Sequence, residues 1–554
     1  MSAPVDDVAV ATGTITAPEA GAASTRRAGR ESLWVAAGTG ASRLTGFARV
    51  FVLAYAVGQS NLANLYTKAN SAPNLVFELV VGGVLSATLV PLFVAAREDE
   101  DDDAASVLIS VGFVAAAILS LVALAATFGV DRYLHARFLA EDGAGASSLV
   151  KLGIVTDLLY LMLPQILFYG IASLATAYLN ASRRYRTAAF SPVLTNLVSI
   201  AAFAAVGVRL QGNDAVLHAG RRDLSTLLWL GLGTTAGIAA MAIPMMWAMR
   251  SGDVTLRFLP RFRHRVIKRV IRLSGWTFGY VVANQLALLA VVLLLPDNKR
   301  YSDAFIFFQL PHGLIAVSLM TTMTPELSSA ASRRDYQGLA DRFVRGLRLL
   351  AALIVPAAIG YVLLSTPITS FLKHGNLSAE DARLTGRAVA AFAIGLPAFS
   401  IYLFACRGFY ALSDTRTPFF LNVLENGLNI AGLIGLFVAG AVSSTTFAVA
   451  YSIAYAIAAV VALARFERRL RELDPSIERP DLRPLLTMLV AAFGMGVVVW
   501  IVRQILPDDA GVGAVASVAL GVVLGGLAYL GLGVALKVPE VTAVWDGARR
   551  RFSR

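Results

Sequence analysis

The first long apolar stretch of the chain, 33–58, carries two arginines, Arg43 and Arg49. At 1.5 Å per helical residue they stand roughly 15 and 24 Å in from its start. A guanidinium near the middle of a bilayer costs at least about 2.5–3.5 kcal/mol on insertion scales, so it needs a watery cavity or a counter-charge. Arg43 therefore either faces a cavity or pairs with a residue such as Glu78, and Arg49 either faces the same cavity or extends its stem to the nearer surface. Lys68 and Glu78 follow in the second apolar stretch, with Asn64, Asn70 and Asn74 beside them. These residues enclose a cationic cavity in the first half of the chain. Fixed cations suit an anion, and the planar fork of arginine suits phosphate in particular. Candidate substrate contacts are Arg43, Arg49, Lys68, Asn74 and Glu78, joined from the second half by Gln309. A second polar group, Asn284, Gln285, Asn422, Glu425, Asn426 and Asn429, lies later in the chain. Asn422 and Asn426 are four apart and share a helix face. With Asn284 and Glu425 they either coordinate a cation through side-chain oxygens or hydrogen-bond between helices.

The elements that must hold these residues are membrane helices. Of the 554 residues 57% are hydrophobic and only 15% charged, against about 25% charged in soluble domains. Apolar runs of twenty or more residues recur, each long enough to cross about 30 Å of hydrocarbon. Fourteen spans are expected, near 33–58, 63–96, 105–130, 151–180, 187–208, 224–249, 270–296, 301–326, 349–372, 388–412, 417–440, 443–464, 485–506 and 512–536. The second is overlong and contains Pro73 and Pro91, which predicts a bend or a break. Basic residues gather at Arg183 to Arg186, Arg250 to Arg272, Arg333 to Arg348 and Arg465 to Arg483, which places both termini in the cytosol. Arg221, Arg222, Lys299 and Arg300 dissent from that pattern. The net charge of +12 is explained by topology and anionic headgroups, and nucleic acid is not expected as a partner. The segment Leu256 to Arg272 reads as a basic amphipathic helix on the membrane surface.

The chain also repeats itself. Arg186, Thr187, Phe190, Val193, Leu194 and Asn196 recur as Arg416, Thr417, Phe420, Val423, Leu424 and Asn426. Leu163, Pro164, Tyr169 and Ala172 recur as Leu396, Pro397, Tyr402 and Ala405, and Leu85, Thr88 and Pro91 as Leu319, Thr322 and Pro325. The expected architecture is an all-α polytopic membrane protein of about fourteen helices, with two six-helix lobes related by a pseudo-two-fold axis and two extra C-terminal helices. The boundaries are a disordered cytosolic tail 1–30, an N-lobe 31–250, an amphipathic cytosolic linker 251–269 and a C-lobe 270–466. A second cytosolic linker 467–484, a final helix pair 485–537 and a cytosolic tail 538–554 complete it. Lobes repeated in this manner place the substrate between them and rock. The position matching Arg43 in the second lobe is Trp276, so the cations belong to one lobe. Enzyme chemistry has little support: there is no P-loop, HExxH or Cys/His cluster, Cys406 is the single cysteine, and no metal is expected.

The stretch Ser42-Arg43-Leu44-Thr45-Gly46-Phe47-Ala48-Arg49, then Pro73-Asn74-Leu75 and Gly83-Val84-Leu85-Ser86, resembles the opening of the MurJ (MviN) family. Leu310-Pro311-His312-Gly313 and Asp414-Thr415-Arg416-Thr417-Pro418 fit the same family. Its members are bacterial flippases of the lipid-linked peptidoglycan precursor, lipid II, in the multidrug/oligosaccharidyl-lipid/polysaccharide exporter superfamily. The resemblance implies a flippase rather than an enzyme, in the bacterial cytoplasmic membrane, moving a polyprenyl-pyrophosphate-linked saccharide to the outer leaflet for cell-wall synthesis. Membrane lipids and cell-wall synthesis enzymes are the other implied partners. It further implies that Arg43 and Arg49 are cavity cations and that the last helix pair, 485–537, forms a groove for the lipid tail. Here the family's second-helix basic position falls on Phe77, its eighth-helix arginine on Ile306 and an acidic position on Asn64. No cofactor is implied. Coupling to sodium or to the membrane potential is a family expectation, although the carboxylates for sodium stand here as Asn284 and Asn426. The alternatives are export of another polyprenyl-linked saccharide and drug antiport within the same superfamily.

Overall fold

The computed structural model describes residues 22–80, 89–98, 102–140, 146–182, 184–211, 213–217, 221–250, 257–370, 376–478, 483–506 and 511–542. Most of the expected tail 1–30, the motif at 83–86, the repeat residues Leu85 and Thr88, and the ends of the expected linkers and C-terminal tail lie outside the described residues. Among the described residues every regular element is helical. In chain order these are α1 (Ala22–Val57), α2 (Asn61–Val80), α3 (Leu89–Glu98), α4 (Asp102–Ala140), α5 (Ala146–Met162), α6 (Gln165–Ala181), α7 (Tyr185–Leu210), the one-turn α8 (Asp214–Leu217) and α9 (Leu224–Arg250). There follow α10 (Arg265–Leu294), α11 (Asn298–Pro311), a single π-helical turn (His312–Ala316), α12 (Val317–Ser332), α13 (Tyr336–Ser370), α14 (Ala379–Ala411), α15 (Arg416–Val438), α16 (Ser444–Leu473), α17 (Arg483–Ile505) and α18 (Gly511–Ala535).

Packing repeats with the sequence. In the first lobe α7 lies between α1 and α9, α6 packs on α4 and α9, and α3 on α4. In the second α15 lies between α10 and α16, α14 packs on α13 and α16, and α12 on α13. Helices at equivalent positions thus have equivalent neighbours within their own lobes. Proline sets the breaks, because it removes a backbone donor and crowds the preceding turn. The fourth span divides into α5 and α6 at Leu163-Pro164, and the eighth divides at Pro311 into α11, the π turn and α12. The buried core of the second lobe centres on Phe308, Phe392, Tyr402, Phe404 and Phe447. That of the first divides into a cluster around Tyr66 and Phe203 and another around Phe93 and Tyr178. Helices α17 and α18 pack on each other and on α13.

Among the described residues eleven helices are long and apolar enough to cross a membrane, and α10 adds a shorter apolar segment, Phe278–Leu294. With α1 and the α2–α3 pair this is compatible with fourteen crossings. The helices that fall short carry Arg43 and Arg49, Lys68 and Glu78, and Asn284 and Gln285. A helix that lines a cavity need not be apolar all round.

The linker differs from its expectation. Residues 257–264 are not helical, and α10 starts only at Arg265, capped by the His264 side chain. Pro260 lacks the N–H that a helix interior needs, while the neighbouring backbone binds α4 instead. The Ser106 and Ser110 hydroxyls accept from the N–H groups of Arg257 and Leu259 at 3.2 and 2.8 Å, and Arg261 pairs with Asp103 at 2.8 Å.

Candidate functional site

Arg43 and Arg49 face one cavity of ≈ 390 Å³ between the lobes. Its N-lobe wall comes from α1, from Tyr169 on α6, from Thr195 and Asn196 on α7 and from Ile238 on α9, and the C-lobe wall is Ile306, Gln309 and Leu310 on α11. Residues 43 and 49 are six apart, about 9 Å along the helix axis. Arg43 is exposed and Arg49 half-buried. Among the described residues no carboxylate lines this space and neither guanidinium has an ion pair, so the two arginines are its only formal charges. The pairing of Arg43 with Glu78 does not form, and Glu78 is exposed on α2. Arg43 instead reaches across the seam: a Cβ on Gly313, in the π turn, would stand 3.9 Å from its Nη1.

The wall is braced by neutral groups. Asn196 donates through Nδ2 to the Ser42 carbonyl at 3.1 Å and the Thr45 hydroxyl at 3.0 Å, which fixes the turn of α1 that presents Arg43. The Tyr169 hydroxyl donates to Asn74 Oδ1 at 2.8 Å, and its ring stacks on Phe77 with centroids 4.2 Å apart. Asn74 therefore serves the cavity through Tyr169. Lys68 is half-buried on α2 and, like Glu78, is absent from the cavity wall.

The structure also brings Asn284, Asn422 and Asn426 together, between α10 and α15, while Glu425 is buried on α15 beside Tyr455 of α16. Asn284 Oδ1 accepts from the side-chain amides of Asn422 and Asn426, both at 2.9 Å. The acceptors Asn422 Oδ1, Glu425 Oε2 and Asn429 Oδ1 are buried without a hydrogen-bond partner. The interhelical hydrogen bonds and the free oxygens thus both occur along α15.

An apolar groove of ≈ 610 Å³ adjoins the cationic cavity. It runs from Pro311 and Leu314 along α13 to Gly521, Gly525 and Tyr529 on α18. Leu310 lines both spaces, so a charged chamber and a greasy channel meet at one side chain.

Tyr169 and Asn196 escape a search for charged residues. Both lie in the repeated stretches, and Asn196 has Asn426 as its counterpart; each asparagine ties the middle helix of its lobe to the first.

Residues 53–528 match the family model described as "Lipid II flippase MurJ". The chain is 29% identical over 413 residues to the lipid II flippase MurJ of Burkholderia cenocepacia, covering 70% of this chain and 74% of that one. It is 27% identical over 425 residues to the probable lipid II flippase MurJ of Rhizobium tropici, covering 74% and 75%. In fold it is similar to a lipid II flippase MurJ in an inward closed conformation, with TM-score 0.71, 20% identity and coverage of 91% of this chain and 99% of that one. It is also similar to an inward-facing multidrug resistance transporter of the MATE family in the MOP superfamily, with TM-score 0.64, 11% identity and coverage of 78% and 96%. The match to the family model spans most of the chain, which therefore belongs to the lipid II flippase MurJ family.

Proposed function

We propose that this chain is a lipid II flippase, a transporter rather than an enzyme, that moves the lipid-linked peptidoglycan precursor across the bacterial cytoplasmic membrane by alternating access. The observation that carries the reading is the junction at Leu310, where a two-arginine cavity opens beside an apolar groove. Lipid II has the matching anatomy of a pyrophosphate on a polyprenyl chain. In this reading Arg43 and Arg49 hold the pyrophosphate by charge-assisted hydrogen bonds, each worth about 1.5–3 kcal/mol. The groove along α13 and α18 takes the tail. Both termini lie in the cytosol, which leaves Arg222, Lys299 and Arg300 on the outside. Their ion pairs with Asp157, Asp303, Asp297 and Asp381 support that orientation, because a neutralised cation weighs little on topology.

The test is complementation of a flippase-depleted bacterium. Arg43→Ala and Arg49→Ala proteins should reach the membrane at normal abundance and fail to sustain cell-wall synthesis. Full complementation by both would contradict the reading.

A coupling cation is a further part of this proposal. The free oxygens of Asn422, Glu425 and Asn429 favour a site along α15. Transport that ignores both a sodium gradient and Glu425→Gln would remove it.

A further inference from the structure

Four hydrogen bonds that join the two lobes lie where α1 gives way to α2. Gln59 donates through Nε2 to Asp303 Oδ2 at 2.8 Å. The Lys299 backbone N–H donates to Asn64 Oδ1 at 2.9 Å. Asn376, between α13 and α14, donates its backbone N–H to the Tyr55 carbonyl at 3.0 Å and its side-chain amide to the Ala56 carbonyl at 2.8 Å. The approach is tight enough to require glycine. Gly58 has φ +56°, and a Cβ there would fall 2.1 Å from the Asn376 carbonyl oxygen. At the other end of the seam the contact is apolar, where Val266, Ile267 and Val270 of α10 pack into the first lobe beside Met245 and Met249.

The ion pairs in this cluster all lie within the second lobe, and Lys68 on α2 is the first-lobe charge that feels one of their members, Asp297. Lys299 and Asp303 pair one turn apart on α11 and are 1% and 3% exposed. Arg300 binds Asp297 at 2.7 Å and Asp381 at 3.1 Å, which ties the start of α11 to the start of α14 within the same lobe. To the hydrogen bonds the first lobe contributes only amides and carbonyls. An ion pair split between the lobes would leave two uncompensated charges on opening, at a large desolvation cost. Here Lys299 and Asp303 stay together and merely meet water, and each released amide exchanges one partner for another.

We infer that Gln59, Asn64 and Asn376 form a latch with the Lys299–Asp303 pair that holds the outer mouth of the cavity shut, and that it releases without breaking an ion pair. The inference rests on the alternating-access part of the reading above. It concerns which residues set the resting balance between the two states, independently of what is carried.

The reporter is Ala54, fully buried on α1 within the core of the opposite lobe. In a Cys406→Ala background, Ala54→Cys is the only thiol, and its labelling by a membrane-impermeant maleimide in intact cells reads outward opening without any substrate. Combining Gln59→Ala with Asn376→Ala should raise the labelling rate about tenfold, the worth of one or two net hydrogen bonds. Gln59→Glu, which sets a carboxylate against Asp303, should raise it further. Unchanged labelling in both variants, in protein that elutes as a single species, would overturn the latch. Such a result would leave the substrate assignment standing, whereas failure of the arginine variants to lose transport would leave the latch standing.

Discussion

Arg43 and Trp276 hold equivalent places on α1 and α10, the first helices of two lobes that pack alike. Arg43 projects into the cavity without a partner, whereas Trp276 packs against Phe419 and Phe420 at 5.1 and 6.1 Å. A similar contrast recurs at Tyr169 and Tyr402. The first donates to Asn74 at the cavity wall, while the second is fully buried and its hydroxyl has no partner. Other repeated residues kept their work: Arg186 lies over the Trp34 ring at 4.9 Å and Arg416 over Phe420 at 5.6 Å. Duplication thus preserved the helix contacts and the aromatic anchors, and divergence acted on the side chains facing the seam. In the proposed reading one lobe holds the anion, and the other is an aromatic block with a polar cluster of its own.

The largest effect expected from upsetting this division is at Gly313. A glutamate there would oppose Arg43 and cancel half of the cavity charge. Gly313→Glu should lower lipid II transport about 10- to 100-fold, consistent with losing one charge-assisted contact. Gly313→Ala should be tolerated, because its methyl group meets Arg43 at ordinary contact distance. Transport measured in proteoliposomes separates the two. A middle-sized effect is expected at the duplicated asparagines. Asn196→Ala removes two hydrogen bonds to α1 and Asn426→Ala removes one to Asn284 and one to the Asn422 carbonyl. Each should cost about 1–2 kcal/mol and lower the melting temperature in detergent by similar amounts. Asn196→Ala should also weaken transport whether or not a sodium gradient is present, since it alone braces the turn that presents Arg43.

The smallest effect concerns the caps of α9 and α16. Asp223 precedes α9, and hydrogen bonds from Thr226, then the Arg209 guanidinium, hold its carboxyl below the usual carboxylate range. Ser443 caps α16 with a neutral capping box. A depressed carboxylate stabilises the fold above its unfolded pKa, about 3.9, and loses that contribution as the pH falls through the folded value. The N-lobe cap should therefore weaken in acid while the C-lobe cap does not. The change should stay under about 1 kcal/mol because both partners reach water. Asp223→Asn should flatten the acid limb of melting temperature against pH, and Ser443→Ala should leave its shape intact.

Much of this molecule is written in patterns that survive without coordinates. Arg43 and Arg49 stand out because charge in an apolar run is expensive, and the repeat is visible because the duplicated asparagines and prolines keep their spacing. The partnership of α1 with α7 is not legible in that way. It depends on which faces of two helices meet, so Asn196 reads as a polar residue with no address. Lys68 and Glu78 look equivalent to the arginines by residue type, yet both stand outside the cavity wall. The expected helix at Leu256 to Arg272 follows from basic and apolar alternation, and it loses to Pro260 and to two serines on α4 that supply the backbone with other partners.

The central claim is that the anion is held by one lobe alone. Its most direct test is the transport of fluorescently labelled lipid II in proteoliposomes by Arg43→Ala and by the double variant Arg43→Ala, Trp276→Arg, which moves the cation to the equivalent place in the other lobe. Both should fail, because the side chain at 276 packs among aromatic rings and is absent from the wall of the arginine cavity. Wild-type transport by the single variant, or its recovery in the double variant, would contradict it.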